Sequence, residues 1–168
     1  VVTNHDQLGN TGKQTGWYLP EVAHPYHVFK QANFQVDFVS PKGGKTPVDE
    51  SSVQAFANDE VSKNFLNDKQ VQQLLNSTLK PSDIKVDQYS AIFYAGGHGP
   101  LWDVTYDKDL ARIAAEIYEK HNGVVSAVCH GPCGLLNIKL SNDEYLVKGK
   151  TVAAFTNDEE KAVQLDHV

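Results

Sequence analysis

A chain of 168 residues with 40% hydrophobic side chains is long enough to bury a core and short for two ordinary domains, which makes one domain the working assumption. The net charge of −6, the single arginine (Arg112) and the scattered lysines exclude nucleic acid and acidic membranes as main partners. With no apolar run near the roughly 20 residues of a membrane helix and no basic-then-apolar signal pattern, the expectation is a soluble cytoplasmic protein whose partner is small or protein-like.

In chain order, residues 1–4 read as the tail of a first strand, and residues 5–16 as a polar, Gly-rich loop. That loop contains Gly12-Lys13-Gln14 but lacks the earlier Gly and the Ser/Thr of a phosphate-cradling loop. Residues 16–33 follow with a mostly helical apolar pattern, interrupted by Pro20 and Pro25, and Glu21 falls near its start. Residues 34–40 alternate and then turn apolar as a strand does, ending at Pro41-Lys42-Gly43-Gly44. From about 48 to 81 the chain is polar, with Val53, Phe56, Val61, Phe65, Leu66, Val71, Leu74, Leu75 and Leu79 spaced for two short amphipathic helices forming a covering insertion.

Residues 89–95 form the next buried strand and stop at Gly96-Gly97-His98-Gly99-Pro100; a helix over 107–121 follows, with Leu110, Ile113, Ala114, Ile117 and Tyr118 on one side. The run from Gly123 to Val128 then reads as a buried strand that turns sharply into a short helix at Cys129-His130-Gly131-Pro132. Pro132 suits a first helical turn. A polar connector, a strand over 151–155 and the start of a last helix complete the sequence. Alternating strands and helices imply an α/β protein whose parallel sheet is covered on both faces, with every post-strand loop at one edge. Ligands bind at that edge in open sheets, and the loops 5–16, 96–100, 129–132 and 156–160 become neighbours there.

Cys129 therefore sits at a strand-to-helix elbow, where unpaired N–H groups and the helix dipole favour the thiolate. The plainer alternative, a small buried hydrophobe, fits most free cysteines, but the flanking His-Gly-Pro favours a nucleophile. Cys129 and Cys133, the only cysteines, stand four apart where a bond between them would distort the local helix, and the seven dispersed histidines give no structural zinc spacing.

His130 is the nearest general-base candidate in sequence. An acid from a neighbouring loop could orient it; Asp158, Glu159 and Glu160 all qualify, and all equally suit an acidic helix start. Gly96-Gly97 offers close N–H groups for an oxyanion or a plain turn, and His98 a polar pocket group or a cap. Glu21 lies in an apolar setting, where a buried carboxyl has a raised pKa and can share a proton with a thiolate; a solvated helix-start Glu is the alternative.

Four motifs in correct order now resemble the ThiJ/PfpI superfamily, with its class I glutamine amidotransferase-like fold: residues 16–25 (GWYLPEVAHP), 96–99 (GGHG), 127–132 (AVCHGP) and 155–160 (FTNDEE). Within it they are most similar to the heat-shock chaperone and glyoxalase III branch. The resemblance implies a flavodoxin-like three-layer α/β/α sandwich with a mostly parallel sheet and a nucleophile elbow. It implies Cys129 as nucleophile, His130 as its partner, Glu160 as orienting acid with Glu159 beside it as the alternative, and Glu21 as pocket acid. Gly97, His98 and His130 are the implied substrate or oxyanion groups. Residues 1–168 read against this family as one domain, incomplete at both ends, with a helical insertion at about 48–81.

The implied activity is conversion of methylglyoxal to lactate without glutathione, a lyase reaction on a small 2-oxoaldehyde that needs no metal or organic cofactor. A second copy of the chain and unfolded proteins are further partners the resemblance implies. A holdase chaperone or deglycase, a redox sensor oxidised at Cys129, and a peptide or amide hydrolase are the competing readings; the first expects apolar surface on the helices of 48–79.

Overall fold

The computed structural model describes residues 1–120 and 122–168. The aromatic and β-branched side chains of residues 89–95 place them in a strand, β1 (Ala91–Tyr94), and the Val-rich stretch before Cys129 forms β2 (Val124–Ala127). The two pair in parallel, Ala91 opposite Val124 and Tyr94 opposite Ala127. Successive side chains of β1 point to opposite faces: Ile92 and Tyr94 enter one core, Phe93 and Ala95 the other.

Three more extended segments flank this pair through isolated backbone hydrogen bonds. The Ala95 N–H donates to the Val1 carbonyl at 3.3 Å, Val2 N–H to Val39 at 2.9 Å and Phe155 N–H to Cys129 at 3.0 Å. Across the sheet the order is therefore 38–40, 1–3, β1, β2, 155, the flavodoxin-like arrangement in which the second segment lies outside the first. The expected strands at 1–4, 34–40 and 151–155 do not form continuous ladders. In 34–38, Phe34, Val36 and Phe38 line a cavity of about 580 Å³ together with Tyr89 and Phe93. Nor is the β2 stretch fully buried, since Val124 is 60% and Val128 36% exposed.

The helices differ from expectation in number and bounds. α1 (Leu19–Gln31) starts three residues later than its apolar pattern and continues through Pro25. Burial of Leu19, Val22 and Ala23 outweighs the backbone hydrogen bond that proline cannot make. Three helices rather than two fill the insertion: α2 (Glu50–Ala55), α3 (Glu60–Asn67) and α4 (Lys69–Asn76). Each begins at an aspartate, Asp49, Asp59 or Asp68, whose carboxylate accepts N–H groups of the first turn. Asp68 both ends α3 and caps α4, which splits the stretch.

α5 (Lys108–Lys120) buries Leu110, Ile113, Ala114 and Ile117; its expected end at His121 lies outside the described residues. After β2 comes a 3-10 turn (Gly131–Leu135) where an α-helix was expected, and α6 (Asn157–Ala162) ends the sequence of elements. α1, α3 and α4 cover one face of the sheet through Trp17, Leu19, Phe65, Val71 and Leu75, while α5 covers the other with Ile138 and Leu146, giving three layers. Among the described residues, no large apolar side chain of α2, α3 or α4 is exposed.

Ile113, 2% exposed, lies at the centre of the α5 contact with the sheet. Ile113→Ala is expected to lower the free energy of unfolding in urea by about 2–5 kcal/mol; a loss below about 1 kcal/mol would mean that α5 does not anchor this core.

Candidate active site

The elbow after β2 is built by backbone. Cys129 has φ +57°, a left-handed conformation that costs a side-chain-bearing residue energy and needs surroundings that enforce it. Those surroundings are the end of β1 and its loop. Val128 N–H donates to the Tyr94 carbonyl at 3.2 Å, and Gly131 N–H closes the turn on Val128 at 2.7 Å. A methyl group on Gly96 would stand 2.6 Å from Glu21 Oε2, 2.8 Å from the His130 nitrogen and 2.9 Å from Cys129 Cβ. At Gly97 (φ +83°) it would stand 2.2 Å from the Gly16 carbonyl. The Gly-Gly pair is thus required by close approach, and it brings three loops to one point.

At that point the sequence-derived candidates meet. Cys129 Sγ lies 3.2 Å from His130 Nδ1, and His130 Nε2 lies 2.5 Å from Glu160 Oε1. His98 Nε2 approaches the other oxygen of the same carboxylate, Oε2, at 3.2 Å. Glu21 accepts the Gly96 N–H at 2.8 Å, and its Oε2 and the Cys129 Cβ both crowd Gly96. The N–H groups of Gly97 and His130 point at the sulfur.

Capping sets the two adjacent glutamates on different paths. Thr156 and Glu159 form a reciprocal capping box at the start of α6, Glu159 accepting the Thr156 N–H at 2.7 Å. With Glu159 turned back onto the helix end, Glu160 faces the two histidines, while Asp158 pairs with Lys161 at 3.4 Å.

The electrostatics oppose one expectation. Burial and then the Glu21 carboxylate push the Cys129 thiol up to about 12, against the pull of the His130 and Gly97 N–H groups. A 3-10 turn supplies little of the dipole that a longer helix would. Burial also raises Glu21. The effect is one-way: the Glu21 carboxylate raises the thiol, whereas contact with Cys129 offsets part of the rise that burial gives Glu21. Burial lowers His130 despite its bond to Glu160. Burial raises Glu160 too, but the hydrogen bonds from His130 and His98 outweigh it and leave the carboxyl below its ordinary range.

Two neighbours were not singled out from the sequence. Phe155 stacks on the His130 ring with centroids 4.5 Å apart, and its signal was its position immediately before the acidic loop. Tyr18, three residues before Glu21, donates its N–H to the Gly96 carbonyl at 3.2 Å, and its hydroxyl pKa is raised by burial and by Asp49, Glu21 and Cys129. Among the described residues, Cys133 is the other free thiol; burial raises its pKa, and it takes no part in this cluster.

A parallel α/β sheet carrying a cysteine elbow, with a histidine beside the sulfur and a carboxylate behind that histidine, defines a cysteine-centred site of the flavodoxin-like class. Comparison with known proteins makes the membership specific: residues 16–163 match the DJ-1/PfpI family, and the chain belongs to it. The ThiJ/PfpI resemblance in the four motifs is thereby borne out. The chain is 36% identical to the glutathione-independent glyoxalase HSP31 of Saccharomyces cerevisiae, over 100% of its own length and 71% of that protein's. It is 37% identical to glyoxalase 3 of Candida albicans, over 94% of its length and 67% of the relative's. Among solved structures, the Francisella tularensis Rapid Encystment Protein 24 KDa superposes with a TM-score of 0.90 at 36% identity, covering 98% of this chain and 72% of that one. Glyoxalase III of Candida albicans superposes with a TM-score of 0.86 at 34% identity, covering 96% and 68%.

Two outcomes follow from the charges. Below pH 6.5 the unfolded chain protonates its histidines before His130 takes a proton in the folded state, and below about 4.5 the depressed Glu160 behaves likewise. Both terms make the unfolded state bind more protons, so they lower stability as pH falls, while the raised Glu21 acts in the opposite sense; the drop in urea midpoint from pH 7 to pH 5 is expected to be larger in Glu21→Gln than in the parent, and an unchanged profile would contradict the assignment. Glu21→Gln removes the charge beside the sulfur, and the pH midpoint of Cys129 alkylation by iodoacetamide is expected to move down. A midpoint that moves up would mean that the Glu21 carboxylate does not raise the thiol.

Proposed function

We propose that this protein is a glutathione-independent glyoxalase that converts methylglyoxal to lactate, with Cys129 as nucleophile. The observation that carries the reading is the Cys129 sulfur at a strained elbow, 3.2 Å from His130 Nδ1, with Glu21 packed against the same Gly96. Relatives bearing the name glutathione-independent glyoxalase, 36% and 38% identical to this chain, support it.

In the proposed reaction the Cys129 proton passes to His130 or Glu21, and the thiolate adds to the aldehyde carbon of the 2-oxoaldehyde. The aldehyde oxygen becomes an oxyanion beside the N–H groups of Gly97 and His130, which already face the sulfur. Glu21 or His130 removes the hydrogen from the former aldehyde carbon and returns a proton to the neighbouring carbon through an enediol. This leaves a thioester of the 2-hydroxy acid, and water cleaves it to release lactate and restore the thiol. The sum is one methylglyoxal plus one water giving one lactate, with no external oxidant, reductant or thiol. Glu160 orients His130, and His98 lines the same pocket. The lyase class and the small 2-oxoaldehyde substrate belong to this proposal.

Lactate formation from methylglyoxal without glutathione is expected from the protein and lost in Cys129→Ala. Glu21→Gln and Glu160→Gln are expected to lower kcat by about 10²–10⁴-fold, the range of a lost acid–base partner. A folded but inactive parent protein, or a Cys129→Ala variant with full activity, would overturn the reading.

A further inference from the structure

We propose that His98, His130 and Glu160 form a zinc site, and that the ion, bound there, switches off the proton-accepting function of His130. The three side chains come from separate places: the loop after β1, the elbow after β2, and α6. Their ligand atoms all lie within 4.8 Å of one another. Both histidines reach the carboxylate through Nε2, at 2.5 Å from His130 and 3.2 Å from His98, one on each oxygen. The two rings lie 4.1 Å apart, and Phe155 holds the far side of His130.

Two imidazoles and a carboxylate are the ligand set of many zinc centres that leave a fourth position open, with bonds of roughly 2.0–2.2 Å. On a tetrahedron such bonds separate the ligand atoms by about 3.4 Å, so the largest separation here needs only a modest contraction. Glu160 stands on a six-residue helix with no buried residue, the element best able to supply it. A carboxylate oxygen only accepts, so the ring nitrogen facing Glu160 is an Nε2–H in each histidine. Zinc binding exposes the Nε2 lone pair of each ring and moves its proton to Nδ1, with no oxidation or reduction.

That shift has a defined effect at the sulfur. His130 Nδ1 is the atom 3.2 Å from Cys129 Sγ. A zinc-bound His130 carries its proton on Nδ1, donates it toward the sulfur and has no lone pair left to accept the thiol proton. The ion therefore removes the base while leaving the thiol itself uncoordinated. Loss of activity rests on the glyoxalase reading; binding of the ion does not.

The test is titration of zinc chloride into chelator-treated protein, followed by calorimetry. One zinc per chain is expected, with affinity lowered at least about tenfold in both His98→Ala and Glu160→Gln, while Cys129 in the zinc-loaded protein remains open to iodoacetamide. Circular dichroism of the two variants separates loss of a ligand from loss of fold, and Glu160→Gln keeps the shape of the side chain if His98→Ala unfolds. Methylglyoxal turnover is expected to fall with zinc occupancy and to return on adding EDTA. Zinc affinity unchanged in both folded variants, or protection of Cys129 from alkylation, would overturn the site. Intact zinc binding with turnover unaffected would leave the site standing and overturn the switch.

Discussion

The close approach of two backbone turns at the carboxyl edge of the sheet is the constraint on which the site depends. β1 ends in Gly96-Gly97 and β2 ends in Cys129-His130, and the pairing of the strands brings these turns into contact. A side chain on either glycine would collide with Glu21, Cys129 or the backbone of residue 16. Once these turns touch, the rest follows. Cys129 is forced to φ +57°, the Gly97 and His130 N–H groups face its sulfur, and the Gly96 N–H holds the Glu21 carboxylate from α1. The strained residue does not stabilise the fold; the paired strands and the packing of α5 and α1 on opposite faces enforce it.

The resulting electrostatics divide the site in two. On one side Glu21 and Cys129 are buried together; burial raises both, and the Glu21 carboxylate raises the thiol further. On the other side Glu160 is held ionised by two histidines, and His130 bridges the halves through its two ring nitrogens. Its depressed pKa keeps the ring neutral at physiological pH, the state in which it can accept a proton. A more exposed His130 would titrate closer to 6.5, and a dry Glu160 without its partners would itself take up a proton.

Much of this was legible because the site is made of short contiguous motifs. GGHG and CHGP each combine a chemistry-bearing side chain with glycines or proline that dictate the turn, and periodicity located the strands before them. The insertion was less legible: apolar spacing gave two helices, while Asp49, Asp59 and Asp68 cap three. The aspartates were visible, but their geometry decides whether a cap starts a helix or a polar residue merely faces solvent. The isolated bonding of 34–40 and the 3-10 turn after Cys129 were illegible for a different reason. Neither the cavity beside 34–38 nor the Tyr94–Gly96 backbone beside the elbow is visible in the local sequence.

The acidic run Asp158-Glu159-Glu160 shows most directly how local and tertiary forces share out similar residues. In sequence all three suit a helix start, and each carboxylate gains from the N-terminal dipole. Capping geometry then separates them. Threonine at the N-cap pairs with the third helical position, which engages Glu159 and turns it away from the sheet. Glu160, one position on, is rotated by about 100° around the helix and faces the His98 and His130 rings. Asp158 is left in solvent with Lys161. An insertion or deletion of one residue between Thr156 and Glu160 would exchange these positions and direct the wrong side chain at His130. The capping box therefore acts as a register device for the site, making a surface motif with a small energetic value responsible for the placement of a buried hydrogen bond.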